Sequence, residues 1–502
     1  MATTFLGRIL AGLILLVALW PAAADARWMR GESSKFIIYS EGEEPALREF
    51  ISKLHEFDDL LRRLSNASAV PAANKFTIYL LRHNGELREV FPSLRRSTAG
   101  VYAAYPRAAM AFAIRVTPGT MITPEHILFH EYAHHFMLHY HPATYPAWFT
   151  EGFAEYFSTV EFMPGILQVG GAMPGRAYEL LDGSLGPSAR VLAPRGKIDY
   201  AREFHAHSWL IVHYMLSDPE RRRKMMTYLA SVARGEDLEK AFVAAFDMDF
   251  AAFDAVLRGY LKKGKVVGLN IPRKPVPVEI KVDVLPPSAD SLLLAHARLQ
   301  YEVPGGEEDF LASVRRRSAK FPDDVLAIQT LASAEMILGD ATSADAALAK
   351  LESLDPSSVQ TPFLKALRYL MAGVREPERR AELWAQVKAP AAQAHKRDPN
   401  HYPSLYLYAL AVLENGATPN ENTLNVLALA HQLAPQVSDI KVELGIAFYR
   451  TGRVKEGIAV LQTLANSPHE NEKVRRARSL IAQMEAGAEV PQQLGDFDAD
   501  ED

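Results

Sequence analysis

The segment "TPEHILFHEYAHHFMLHYHPATYPAWFTEGFAEYF", Thr123 to Phe157, holds two histidines four residues apart, His130 and His134, with Glu131 next to the first. Residues four apart on an α-helix are neighbours one turn on, so a helix here sets two imidazoles on one face, as a tetrahedral ion such as Zn2+ requires. Glu131, one step round, then lies beside the open metal position, where a base for an activated water is wanted. A site of this kind takes three protein ligands, and the third must come from another element. Glu151 stands far enough along for a turn at "HPATYP" to return a second helix across the first. Glu155, one turn later, can then accept a proton from a ligand imidazole and fix its tautomer. Two imidazoles and a carboxylate accept several divalent ions, of which zinc is the expected one.

The pattern H-E-x-x-H is expected about 0.04 times by chance in a chain of this length, so it points to chemistry without proving it. His126, His135, His139 and His141 crowd the same segment, and solvated or hydrogen-bonded histidine is the plain reading for each. Alone, "PAWFTEGFAEYF" would read as a core helix that packs Trp148, Phe149, Phe153 and Phe157 and leaves its glutamates in water. Beside HEYAH, a ligand helix is the better reading, with Gly152 allowing close helix contact.

The elements that must position these residues are partly legible. Thr123 is a helix cap, Pro124 suits the first helical position and Glu125 complements the dipole. Upstream, "KFIIYS" (Lys35 to Ser40) and "KFTIYLL" (Lys75 to Leu81) read as strands, and apolar residues from Leu47 to Leu64 follow a helical period. "GVYAAYPRAAMAFAIRV" (Gly100 to Val116) reads as two strands around a turn at Tyr105, Pro106 and Arg107. A strand such as Ala109 to Val116 is then a candidate to pair with an extended substrate. From Thr123 the pattern is helical to about Leu261. Prolines among β-branched residues from Lys265 to Asp290 predict an extended connector.

Beyond the connector the chain is rich in Ala and Leu at helical spacing. Pro322, Pro356, Pro399, Pro435 and Pro468 recur at intervals of 34, 43, 36 and 33 residues. A period near 34 is the signature of tetratricopeptide repeats (TPR), whose helix pairs need neighbours to bury their apolar faces. Val437 to Pro468 is the clearest unit, through Leu444, Gly445, Phe448, Gly452, Gly457 and Leu461. The wide interval predicts an insertion near Val374 to Arg380, and a plain helical bundle is the competing reading. The tail "GDFDADED" is too acidic and small to pack.

With 502 residues the chain has room for two to four domains. A net charge of -5, 48% hydrophobic and 23% charged residues give no push toward nucleic acid or anionic lipid. One basic residue, Arg8, precedes an apolar run from Ile9 to Trp20, and Ala24 and Ala26 follow as an A-x-A pattern. That layout predicts a signal peptide cleaved after Ala26, a mature chain in the periplasm or outside the cell, and no stable membrane span; an uncleaved anchor is the alternative. The absence of cysteine removes disulfides and thiolate ligands. "NAS" at Asn66 is a glycosylation match of a length expected by chance.

HEYAH followed by "WFTEGFAEY" resembles the gluzincin metallopeptidases, and most closely the exported peptidase MA-like domains that are often joined to tetratricopeptide repeats. The specific match spans about Glu125 to Phe157, with weaker similarity over Trp28 to Lys262. The resemblance implies that His130, His134 and Glu151 bind one Zn2+, that Glu131 is the general base and that Glu155 supports a ligand histidine. Gluzincins usually place a Tyr or His on a later helix to steady the oxyanion, in a Y-A-Q-S-W-like segment. Here "FHAHSWLIVHYML" (Phe204 to Leu216) puts His205 in that place, with His207 and Tyr200 as rivals. No G-A-M-E-N segment precedes His130, and "GGAMPG" (Gly170 to Gly175) lacks its glutamate, so exopeptidase specificity has no support.

The expected fold is an α+β zincin-like domain followed by an all-α tetratricopeptide-like repeat domain. Its expected limits are a signal at 1–26, a catalytic domain at 27–264 (α/β part 27–118, helical part 119–264), a connector at 265–290, repeats at 291–487 and an acidic tail at 488–502. The expected activity is hydrolysis of peptide or protein substrates, with the repeats recruiting a protein partner. The alternatives are a zincin-like module that holds metal without cutting, and a repeat scaffold with an accidental motif.

Overall fold

Alternation of buried and half-buried residues, the period imposed by a sheet packed on one face, opens the fold. A computed structural model describes residues 27–68, 72–96, 98–115, 123–172, 180, 185–194, 202–264, 266–301, 307–413, 418–466, 472–488 and 490. The expected signal and its cleavage site, Tyr200, Pro468 and the acidic tail lie outside the described residues. β1 (Trp28–Glu32), which the sequence reading did not anticipate, pairs antiparallel with β2 (Phe36–Glu41). The helix α1 (Glu44–Ser65) crosses to β3 (Phe76–Leu81), parallel to β2. After α2 (Asn84–Val90), the expected hairpin forms from β4 (Gly100–Ala104) and β5 (Ala109–Ile114). β5 docks parallel to β3, so the order so far is β4-β5-β3-β2-β1. Asn66, of the glycosylation match, caps α1 in the left-handed conformation.

The next part is helical with one interruption. α3 (Pro124–Tyr140) and α4 (Ala147–Ser158) carry the motif, and the Thr123 side chain accepts from the His126 N–H as its cap. A short hairpin, β6 (Glu161–Met163) and β7 (Ile166–Val169), breaks the expected run of helix. It is followed by α5 (Ala189–Leu192), α6 (Arg202–Leu216), α7 (Pro219–Ala233), α8 (Leu238–Phe246) and α9 (Phe250–Lys262). Asp218, Asp237 and Asp249 cap the last three, satisfying end N–H groups that the helices cannot pair themselves.

The expected connector is not a free linker. β8 (Leu269–Pro272) pairs with β7, and β9 (Lys281–Val284) pairs antiparallel with β1, completing a six-stranded sheet of order β4-β5-β3-β2-β1-β9. Extended, proline-containing chain suits edge strands, where one side of the backbone needs no partner. One core unites this sheet with α1, α3, α4 and α6 to α9 and continues into Leu293 and Tyr301 beyond β9.

The remainder is helical and repeat-like: α10 (Ala289–Arg298), α11 (Glu307–Ser318), α12 (Val325–Leu338), α13 (Ala341–Leu354), α14 (Gln360–Arg375), α15 (Arg380–Ala385), α16 (Lys388–Arg397), α17 (Tyr402–Leu413), α18 (Glu421–Leu433), α19 (Ser438–Arg450), α20 (Val454–Ala465) and α21 (Glu472–Glu485). α12 pairs with α13, α14 with α16, α17 with α18 and α19 with α20. The extra helix α15 and the 3-10 turn Pro377–Arg379 before it fall at the expected insertion. Trp384 of α15 is buried and donates to the Leu370 carbonyl at 3.0 Å. Among the described residues no helix is long and apolar enough to cross a membrane.

Candidate metal centre

α3 is fixed from behind before it offers anything to a ligand. Asp58, wholly buried on α1, accepts from Tyr132 Oη at 2.6 Å, from Arg62 Nε at 2.8 Å and from Lys35 Nζ. Burial alone would raise its pKa, but Arg62 and Lys35 outweigh it, and the carboxyl is held below the usual range. Tyr132 lies between His130 and His134 in sequence, so this anchor sets the rotation of the motif helix. α4 then crosses α3 and packs tightly on α6. A methyl group at Gly152 would stand 2.4 Å from the Ser208 carbonyl oxygen, so only glycine permits this approach, and its neighbour Glu151 reaches the centre.

The three expected ligands converge. His130 Nε2 and His134 Nε2 are 3.0 Å apart, and Glu151 Oε2 lies 3.3 Å from the first and 3.6 Å from the second. Donors about 2.0–2.2 Å from a tetrahedral ion are themselves separated by about 3.3–3.6 Å; both Glu151 separations fall in that range and the histidine pair is closer, so the group is of a size and chemistry to hold a divalent ion. Glu155, buried on α4, sets Oε1 3.8 Å from His130 Nδ1, on the side of the ring away from the other donors. At that distance the two face each other without a direct hydrogen bond.

His205 enters from α6. Its Nδ1 is 3.3 Å from Glu151 Oε2 and 3.4 Å from Glu155 Oε1. His130, Glu151 and His205 therefore form a second trio, whose donor atoms lie within 4.8 Å of one another. The two trios share His130 and Glu151 and differ in whether His134 or His205 completes them. His207 is a correction. Two residues on from His205, it faces the opposite side of α6, is buried, and meets Ser188 Oγ at 3.2 Å. Burial pushes it down to about 4, so it is a neutral core histidine.

Charge is arranged unevenly across the centre. Burial works to raise the pKa of Glu151, but His134, His130 and His205 outweigh it and hold the carboxyl well below its ordinary range. Burial likewise works to lower His134, and Glu151 and Glu131 overcome it, raising the imidazole. Glu131 goes the other way. Burial raises it, and the nearby His130 and His134 only partly oppose the effect. A carboxylate so shifted is a stronger base than one in water.

The edge strand β4 passes directly over Glu131. A methyl group at Gly100 would come within 2.5 Å of Glu131 Oε1 and 2.7 Å of Ile127 Cγ2. The strand named as a partner for substrate, Ala109 to Val116, is corrected here: β5 is interior, flanked by β4 and β3, and β4 is the edge. Ala99 accepts from Ile114 and Tyr105 donates to Ala108. By antiparallel alternation the main-chain groups of Gly100, Tyr102 and Ala104 therefore point away from β5.

No protein-family model and no curated protein matches this chain. Among solved structures, a thermophilic TPR protein of Thermus thermophilus aligns with 38% of this chain and 97% of its own at 19% identity, with a TM-score of 0.32. The repeat-like architecture is read from the packing of α12 to α20 on one another, not from that alignment.

Two of the remaining histidines of the segment, His135 and His139, fall as the plain reading has them. His135 is buried, stacks on Phe76 with centroids 3.8 Å apart and lies 3.3 Å from Tyr102 Oη. His139 Nδ1 meets Gln436 Oε1 at 3.1 Å. Sequence reasoning missed Asp58, Gly100 and the carbonyl that Gly152 packs against, because each acts on a residue far away in the chain. For Gly100 the one local signal is a glycine at the start of an apolar strand.

Proposed function

We propose that this protein is an exported zinc-dependent metallopeptidase, and that its helical region recruits a protein substrate or partner. The observation that carries the reading is the meeting of His130, His134 and Glu151 donors within 3.0 to 3.6 Å, with Glu131 on the same helix. Zinc, when bound, supplies a Lewis acid that polarises a carbonyl and lowers the pKa of a water. Glu131, with its raised pKa, would take the proton of the attacking water and pass it to the leaving amine. Glu155 would orient His130, and His205 would donate to the oxyanion that forms on the substrate carbonyl. The outward main-chain groups of Gly100, Tyr102 and Ala104 would pair with an extended peptide and so bring its scissile bond toward Glu131.

A second reading, a metal-holding module that does not cut, draws on the contact between His205 and Glu151. Should His205 join His130, His134 and Glu151 as a fourth ligand, no position would be left for water. The deciding experiment is digestion of a diverse peptide library by the purified protein, read by mass spectrometry beside a chelator-treated sample and Glu131→Gln. Cleavage that disappears in both controls supports the peptidase. Zinc bound at one per chain with no cleavage favours the second reading, and no bound metal at all defeats both.

A further inference from the structure

The hairpin that carries the edge strand is held at its tip by the helical region. Arg107 donates from Nη1 to the Leu299 carbonyl at 2.9 Å and from Nη2 to the Tyr301 carbonyl, so its guanidinium caps the end of α10. Tyr402, the first residue of α17, donates its hydroxyl to the Tyr105 carbonyl at 3.2 Å. The Tyr105 ring stands edge-on to Tyr301 with centroids 5.1 Å apart, and Lys473 Nζ at the start of α21 is 5.9 Å from its centre. Ala104, the last residue of β4, packs against the core of the helical region. Three segments far apart in sequence thus converge on a turn of a few residues. Burial pushes the Arg107 guanidinium down to about 10, and no carboxylate among the described residues pairs with it. A cation kept in such a place depends on those two carbonyls.

The other end of the same strand touches the centre. Among the described residues β4 has β5 as its only neighbour in the sheet, and Gly100 at its start leaves just the space that Glu131 Oε1 fills. A shift of β4 away from its place would both free Glu131 and move the Gly100, Tyr102 and Ala104 groups. A shift toward α3 would press on the carboxylate.

We propose that the helical region clamps the β4–β5 hairpin, and that Arg107 is a positioning residue which acts through β4 on Glu131 and on the substrate-pairing edge. The catalytic consequence rests on the metallopeptidase reading, whereas the clamp itself does not. The helical region is on this account part of the site's framework as well as a surface for partners.

The test uses the full chain and three variants: Arg107→Met, Arg107→Lys and Tyr402→Phe. Amide hydrogen exchange across Gly100 to Ala104 is measured with metal content and, on a peptide that the wild type cuts, kcat and KM. Arg107→Met should keep its metal while exchange over β4 accelerates about tenfold or more, as expected of a strand released at one end. Its kcat/KM should fall about 10- to 100-fold, since misplacing a reacting group by about 1 Å has that effect. Arg107→Lys should recover part of both changes, and Tyr402→Phe should give a smaller change, about 2- to 5-fold, of the same sign. If Arg107→Met does not fold, the other two variants decide alone. Unchanged β4 exchange in the folded variants overturns the clamp. Faster exchange with unaltered kcat/KM overturns the positioning role. Should the wild type cut nothing, the metallopeptidase reading fails, and the exchange arm still decides the clamp.

Discussion

The α/β region gathers its buried charged groups around one place, and the helical region spreads them along its length. In the first, Asp58, Glu131, Glu155, His135, His207 and His213 are all buried, most of them within or behind the candidate centre. In the second, the apolar interior is dominated by Ala and Leu, Asp324, Asp340 and Asn420 cap α12, α13 and α18, and the buried carboxylates are spread singly, Glu335 on α12 paired with Arg315 at 2.7 Å and Glu443 on α19. Buried titratable groups are costly unless partnered, so a region that gathers them is where chemistry is expected. The helical region follows instead the economy of a repeat, in which each helix pair is stabilised by its neighbours.

That contrast can be broken most severely at the centre itself. Glu131→Gln should lower peptide hydrolysis by about 10²- to 10⁴-fold, the usual worth of a general base, while metal analysis still finds the wild-type zinc content. Removing the metal with a chelator should abolish hydrolysis and loosen α3, α4 and α6, read by hydrogen exchange, with little change in α12 to α20. Uniform loosening of both regions would mean that the metal is not local to this site.

The converse perturbation lies in the helical core. Leu427 on α18 is fully buried, and Leu427→Ala should cost about 2–5 kcal/mol in denaturant unfolding without altering zinc stoichiometry. Acid should act on both regions. Burial pushes His213 of α6 and His401, just before α17, each down to about 4. The unfolded value is about 6.5, so the stability each contributes is complete above about pH 6.5 and is lost as pH falls toward about 4. For His213, which meets Tyr260 Oη at 2.9 Å, the loss reaches at most about 3 kcal/mol. His213→Gln should flatten that part of the stability profile, and an unchanged profile would contradict the assignment. The smallest effect is expected from Tyr132→Phe. Asp58 keeps Arg62 and Lys35, so the lost hydrogen bond should cost about 1–2 kcal/mol and weaken metal affinity slightly, which a competition titration would detect.

Much of the centre was legible because its residues are local. His130 with His134, and Glu151 with Glu155, are pairs one helical turn apart, and helix geometry dictates which side chains share a face. The same geometry separates His205 from His207, two residues apart on α6, and so could have excluded His207 from sequence alone. β2 to β5 were legible through alternation. β1 was not, since Arg30, Gly31 and Glu32 in "WMRGE" disguise it. β6 and β7 were hidden in an apolar run, although Pro164 and Gly165, the latter at φ 75°, mark the turn between them. β8 and β9 became strands only through partners elsewhere in the chain: Met29 opposite Val284, and Val169 opposite Leu269. Arg107 likewise gains its role from carbonyls at Leu299 and Tyr301, which no local pattern announces.

The return of β9 to β1 also governs how the chain can be shortened. A fragment ending at Gly264 would contain every residue of the centre, yet it would lose the strand that covers the outer edge of β1. Unpaired strand edges are templates for other chains. Such a fragment is therefore expected to self-associate into sheet-rich aggregates, whereas one extended through Tyr301 keeps that edge sealed and retains Leu293 and Tyr301, which complete the core beneath the sheet.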